Sequence, residues 1–352
     1  MKLLHDMSLA ELKTSLEEVI EKMPRFRATQ IFDWMTNYAS FDEMTNVPQD
    51  LREKLKTLYI DNPAKIEKEL VSKDGTRKYL LSFPDGNIVE AVLMSYKYGN
   101  TICISTQVGC RMGCAFCATG IDGLVRNLSA GEMLSQVLAV NKHIGGTKAD
   151  RKITNIVLMG CGEPLDNYDN VVKFVKLISA KEGLNLSQRN ISLSTCGLAD
   201  KIKALADEDL GITLTISLHA STDEHRKKIM NVAKAFSLKE LFFAIKYYFE
   251  KTKRRIVFEY IELDMNTNPE DAERLKKLCQ GLSYHFNLIP INSTPNTVEQ
   301  NPALKPPSKQ KSAEFWEELK RLGISATTRR TLGSDIAGAC GQLRRSTLTN
   351  KK

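Results

Sequence analysis

Between residues 101 and 290 the chain keeps repeating one pattern, a β-type apolar run followed by a capped amphipathic stretch. The apolar runs are Thr101–Ser105, Asn155–Met159, Asn190–Ser194, Thr213–His219, Arg255–Tyr260 and His285–Pro290, with Ser325–Arg329 as a further candidate. Between them, Ser129-Ala-Gly-Glu132 and Ser237-Leu-Lys-Glu240 read as capping boxes, and Asn268-Pro269 as an N-cap followed by proline at the first helical position. Six strands alternating with helices predict an α/β fold with a parallel sheet and helices on its outer face. Ligands of such sheets sit at the carboxyl ends of the strands, so the residues there are the first candidates for a site.

Two segments precede this core. Residues 1–60 predict a small helical module: Ser8-Leu-Ala-Glu11 is a capping box, and the run Arg27–Met35 sets Ile31, Trp34 and Met35 on one face. Lys22, Arg25 and Arg27, joined by Lys54 and Lys56, form a basic cluster that either a solvated face or an RNA contact would explain. Residues 61–95 alternate around Pro84-Asp85-Gly86, a strong turn signal, and predict a hairpin linker. The core then spans 96–335, and 336–352 is a C-terminal segment ending in the basic residues Arg344, Arg345, Lys351 and Lys352.

Composition narrows the setting. Of 352 residues 42% are hydrophobic and 26% charged, an ordinary globular balance with no run long enough for a membrane span and no signal-peptide pattern at the start. Eight cysteines, three of them crowded into one loop, do not resemble a secreted disulfide framework and point to a reducing cytoplasm. The formal charge of +8 is compatible with a polyanionic partner without requiring one.

The crowded loop is Cys110-Arg-Met-Gly-Cys114-Ala-Phe-Cys117, a C-x3-C-x2-C spacing. Three close thiolates can hold three irons of a 4Fe–4S cube, leaving the fourth iron open to a ligand. Chance clustering or part of a zinc site are the alternatives, although a zinc ribbon needs a second CxxC that the chain lacks. After the next strand comes Met159-Gly-Cys-Gly-Glu163-Pro164, where Gly162 allows close backbone approach and Glu163 can accept hydrogen bonds from an ammonium group. Ser194, Ser217-Leu218-His219 and Asn292 follow at successive strand ends; each could cap a turn, and together they form a polar rim for a ribose, carboxylate or adenine edge. Cys340, in Ala339-Cys340-Gly-Gln-Leu343, is either an inert thiol or a nucleophile on a glycine-flanked segment.

The C-x3-C-x2-C loop resembles that of radical S-adenosylmethionine (SAM) enzymes. The elements Cys103-Ile-Ser-Thr-Gln-Val-Gly-Cys110, Gly162-Glu163-Pro-Leu, Ser217-Leu-His219, Asn287-Leu-Ile-Pro and Ala339-Cys340-Gly-Gln-Leu, in this order, resemble the RlmN/Cfr class of radical SAM RNA methyltransferases from about Arg25 to Arg345. That resemblance implies a partial (β/α)6 barrel and a 4Fe–4S cluster on Cys110, Cys114 and Cys117. It also implies two SAM molecules per turnover, with Gly162, Glu163, Ser194, Ser217, Leu218, His219 and Asn292 around the bound one.

It further implies that Cys340 accepts a methyl group from the first SAM. The second SAM would yield a 5′-deoxyadenosyl radical that activates that methyl for addition to adenine. Cys103 would resolve the protein–RNA adduct through a transient disulfide with Cys340, and Glu90 would accept a proton. The implied substrates are 23S rRNA at C2 of an adenosine and a tRNA adenosine beside the anticodon, with a flavodoxin-like or other electron donor. A Cfr-like C8 methyltransferase is the nearest alternative; an iron–sulfur protein without catalysis is the alternative of another class. Cys161 in the glutamate loop, Met230–Phe236 where the class has a proline-containing turn, and Gly338 depart from the usual pattern.

Overall fold

The computed structural model describes residues 1–21, 23–121, 123–291, 301–330 and 332–336. The first sixty residues form three helices, α1 (Leu9–Val19), α2 (Phe26–Thr36) and α3 (Gln49–Leu58), tied by two short parallel strands, β1 (Lys2–Leu3) and β2 (Tyr59–Ile60). Ser8 and Glu11 close their capping box reciprocally, the Ser8 hydroxyl accepting from the Glu11 amide and the Glu11 carboxylate from the Ser8 amide. Leu12, Leu16, Ile31, Phe32, Met35 and Leu55 make a core of their own. Trp34 lies at its edge and donates its indole N–H to Asn46 Oδ1 at 2.6 Å. The basic cluster is partly neutralised, because Lys56 pairs with Asp42 and Glu53; Lys22 lies outside the described residues.

Next comes an antiparallel meander of β3 (Lys65–Val71), β4 (Arg77–Ser82), β5 (Ile88–Tyr96) and β6 (Gly99–Cys103). Gly86, at φ +80°, turns β4 into β5 at the Pro84-Asp85-Gly86 signal. The meander continues the sheet of the core, since β6 also pairs in parallel with a later strand. A small antiparallel ribbon follows, β7 (Gln107–Gly109) and β8 (Leu124–Asn127), and the three-cysteine loop runs between its strands.

From there helices and strands alternate as the sequence predicts: α4 (Ala130–His143), β9 (Ile153–Leu158), α5 (Tyr168–Ser179), β10 (Ile191–Thr195), α6 (Ala199–Asp207), β11 (Thr213–Ser217), α7 (Asp223–Ile229), α8 (Leu238–Thr252), β12 (Ile256–Glu262), α9 (Pro269–Leu278), β13 (Tyr284–Pro290), α10 (Lys309–Arg321) and β14 (Ala326–Thr328). Ser129, Ser237 and Asn268 cap α4, α8 and α9. The sheet runs β14-β13-β12-β11-β10-β9-β6-β5-β4-β3, parallel from β14 to β6 and antiparallel beyond. This is the expected α/β architecture with its mostly parallel sheet. Ile156, Leu193, Leu214, Ile216, Phe258 and Phe286 bury their side chains in its core. Each such burial contributes about 1.5–3 kcal/mol, enough in sum to make the strand ends a rigid platform.

Candidate active site

One cavity of about 550 Å³ opens at the carboxyl ends of the parallel strands. Cys110, Cys114, Cys117, Gly162, Glu163, Ser194, Ser217, His219, Cys103 and Glu90 all line it. Leu218 does not line it: its side chain stays in the apolar core, its amide donates to the Glu259 carbonyl and its carbonyl accepts from Arg226. Asn292 and Cys340 lie outside the described residues.

The cysteine loop is held at both flanks. At its base the Cys110 amide donates to the Gly123 carbonyl at 2.9 Å. Gly109 permits this closure: it sits at φ +79°, and an added Cβ would stand 2.0 Å from the Gly123 oxygen. At its far side the Ala115 amide donates to the Ile229 carbonyl at the end of α7, and Asn231 Nδ2 donates to the Gly113 carbonyl at 3.0 Å. Asn231 lies in the Met230–Phe236 segment that departs from the usual proline-containing turn, and here its side chain serves as a clamp on the loop.

The thiols fit a cluster better than a single ion. Among the described residues no group of three His, Cys, Asp or Glu could hold one metal ion. The three cysteines instead share one cavity wall and act electrostatically on each other, an open set suited to a cube whose corner irons each take one thiolate. Burial pushes the Cys110 and Cys114 thiols up to about 12, so ionisation there calls for the positive charge of bound metal.

Glu163 faces the cysteines from the loop after β9. Its Oε1 accepts from the Leu165 amide at 3.0 Å and its Oε2 from the Cys196 amide at 2.8 Å, which fixes the carboxylate while burial pushes its pKa up. Gly162, at φ +112°, lets the loop pass 2.7 Å from Gln107 Cβ, measured from where its own Cβ would stand. Cys161 is buried under the same turn and accepts from the Gly109 amide at 3.2 Å, so its thiol braces the cysteine loop.

His219 is a structural acceptor in its described contacts. Its Nδ1 accepts from the Ile261 amide at 3.1 Å, its ring meets Phe116 of the cysteine loop edge-on at 4.7 Å, and burial pulls its pKa down to about 3. Cys103, at the end of β6, is pushed up to about 11, chiefly by burial, and rests as a thiol. Glu90, on β5, forms a buried ion pair with Lys78 at 2.9 Å.

Residues 104–261 match the family model described as the Radical SAM superfamily, and residues 3–60 match the "Ribosomal RNA large subunit methyltransferase N-terminal domain". The chain is 50% identical, over 100% of its own length and 99% of the relative's, to a "Probable dual-specificity RNA methyltransferase RlmN" of Clostridium perfringens (strain 13 / Type A). A relative of the same name from Clostridium novyi (strain NT) is 49% identical over 99% of this chain and 100% of its own. The chain belongs to the RlmN family. A solved structure, "Crystal Structure of a radical SAM methyltransferase from Sphaerobacter thermophilus", superposes on it with a TM-score of 0.89 at 40% identity, covering 97% of this chain and 99% of the other.

RlmN-family membership assigns a 4Fe–4S cluster and SAM as cofactors. Four charged groups at or behind the site carry no motif and escaped the sequence reading. Glu259, on β12, accepts from Ser194 Oγ at 3.4 Å and pairs with Arg329 at 3.3 Å in the cavity lining. Lys78 is fully buried beside Glu90, and Arg226 is fully buried behind the cysteine loop. An isolated charge in sequence gives no sign of such burial; only the fold does.

Proposed function

We propose that this RlmN-family chain methylates C2 of an adenosine in 23S rRNA and of an adenosine beside the tRNA anticodon. The observation that carries the reading is the convergence of the three thiols, Glu163, Cys103 and Glu90 on one cavity. Bound there, the cluster and SAM would supply the one-electron chemistry that an electron-poor adenine carbon requires.

In this reading Cys110, Cys114 and Cys117 hold the cluster, and Glu163 accepts from the ammonium of SAM. Ser194, held by Glu259, together with Ser217 and His219, shapes the pocket for the rest of the cofactor, and Leu218 supports that strand end from the core. Glu90 is the proton acceptor, and Cys103 resolves the adduct with Cys340. The residues that lead toward Cys340 support its role as methyl carrier. Leu332 and Ser334 line the cavity, and Asp335 accepts from Ser72 Oγ at 2.5 Å and from the Lys73 amide at 3.1 Å. Asp74 returns the contact by accepting from the Gly333 amide at 2.8 Å. From Ile336 the four residues to Cys340 reach at most about 14 Å, a span on the scale of the cavity.

The rim supports an RNA substrate. Tyr96 and Tyr98 stack at 4.9 Å and 7°, with Tyr98 69% exposed, and Arg329 and Arg330 line the same mouth. Stacked rings beside guanidinium groups suit a base turned out of its stack and the phosphates that flank it. None of the described helices is long and apolar enough to cross a membrane. The setting of the reading is the cytoplasm, with a flavodoxin-like or other donor supplying electrons.

The test is reconstituted protein with dithionite, SAM and an RNA fragment carrying the target adenosine. The expected products are 5′-deoxyadenosine and 2-methyladenosine, with a methyl group on Cys340 by mass spectrometry. 8-Methyladenosine alone would overturn the regiochemistry, and absence of 5′-deoxyadenosine would overturn the radical reading.

A further inference from the structure

We infer that Arg226 is the buried counter-charge of the cluster, a guanidinium behind the cysteine loop that sets how readily the cluster accepts its electron. The inference rests on the radical SAM reading of that loop. Arg226 lies on α7, is 0% exposed, and is the largest fully buried side chain among the described residues. Its Nη2 donates to the Cys196 carbonyl at 2.6 Å and more weakly to that of Ser217 at 3.5 Å, and its Nε donates to the Leu218 carbonyl at 3.2 Å. Among the described residues its Nη1 has no partner. Every partner is a neutral carbonyl, and no described carboxylate stands within ion-pair distance. Asp223, on the same helix, is engaged in accepting from the Leu238 amide.

A guanidinium does not shed its proton, so a buried one without an anion would be an unrelieved charge in a low-dielectric interior. The groups whose negative charge would relieve it are close by. Cys114, a proposed cluster thiolate, acts electrostatically on the buried Arg226, and the α7 carbonyl of Ile229 holds the Ala115 amide next to Cys114. A 4Fe–4S cube on three thiolates is negative when oxidised and more negative by one electron when reduced. A fixed cation at its back therefore favours the reduced form, the electron coming from the one-electron donor. The same side chain orients the SAM side of the site. The residue whose carbonyl accepts from Nη2, Cys196, offers its amide to Glu163. At Gly197 an added Cβ would come within 3.1 Å of Nη2, so glycine keeps the guanidinium's path clear.

Arg226 is thus a positioning and charge-setting residue, and the reduction potential is the readout that separates charge from packing. The experiment titrates the reconstituted full-length protein with dithionite without RNA, following the reduced cluster by electron paramagnetic resonance, for wild type, Arg226→Gln and Arg226→Lys. The expected result for Arg226→Gln is a reduced-to-oxidised ratio at least tenfold lower at a fixed poise, a shift of about 59 mV to more negative potential for a one-electron couple. Arg226→Lys, which keeps the charge, should shift by less than half as much. An unchanged midpoint in Arg226→Gln with full iron content would overturn the inference, as would equal shifts in both variants. If Arg226→Gln assembles no cluster, Arg226→Lys decides alone: a midpoint near wild type supports the charge, and a tenfold loss or an empty site refutes it. Absence of a 4Fe–4S signal in the wild type would instead sink the radical SAM reading.

Discussion

Lys78 and Glu90 bring a buried ion pair to the cavity wall, and removing one partner at a time gives a sharp measurement. Nζ and Oε2 lie 2.9 Å apart, with the side chains 0% and 4% exposed. On the antiparallel ladder Lys78 faces Val92 while Glu90 faces Leu80, so the pair is diagonal and its geometry is set by two rigid strands. Lys78→Met leaves the Glu90 carboxylate buried without its ammonium, a loss of about 3–5 kcal/mol. For 352 residues at about 2.1 cal/mol/K each, the unfolding entropy is about 0.74 kcal/mol/K. The melting temperature should therefore fall by about 4–7 °C. Glu90→Gln takes the carboxylate from the ammonium instead and should lower the melting temperature as well, whereas Lys78→Met/Glu90→Gln removes both charges and should lower it by clearly less than the sum. Thermal melts followed by circular dichroism on all four proteins complete the cycle. Additivity of the two single losses to within about 0.5 kcal/mol would refute the coupling.

Other substitutions test the site itself. Cys103→Ala should trap a covalent protein–RNA adduct, seen as a slow band on a denaturing gel; turnover without any such band would remove Cys103 from the resolving role. Gly162→Ala puts a methyl 2.8 Å from the Gln107 amide nitrogen at φ +112°. The strain, of order 1–3 kcal/mol, should weaken SAM binding by about 10- to 100-fold in equilibrium dialysis. Unchanged affinity would show that the loop does not grip the cofactor. Arg329→Ala with Arg330→Ala should flatten the slope of log affinity for RNA against log salt by about 1.4, from two lost phosphate contacts on a single strand. An identical slope would move the RNA away from that rim.

The strand-and-helix core was legible because capping and periodicity are local. Ser129, Ser237 and Asn268 announce their helices within three residues, and the apolar runs announce their strands. The β7–β8 ribbon was not legible: strands of three and four residues carry no periodicity, and their pairing depends on Gly109 meeting Gly123. The meander read as a hairpin, but what its strands pair with is a long-range fact that alternation alone does not encode. The cysteines and Glu163 stood out because clustered chemistry leaves a local signature. Arg226 did not, since Asp223-Glu-His-Arg-Lys-Lys-Ile229 has the composition of a solvated face, and only the fold turns that one cation inward.

The clasp of Asp74 and Asp335 limits how the proposed methyl carrier works. A carrier whose backbone can reach no more than about 14 Å from the clasped Ile336 would be confined to a small volume, so its effective concentration at the cavity would be high, on the millimolar scale or above. Docking in the cavity can then be weak and still be frequent, and a weakly held carrier is free to leave between its two encounters with SAM.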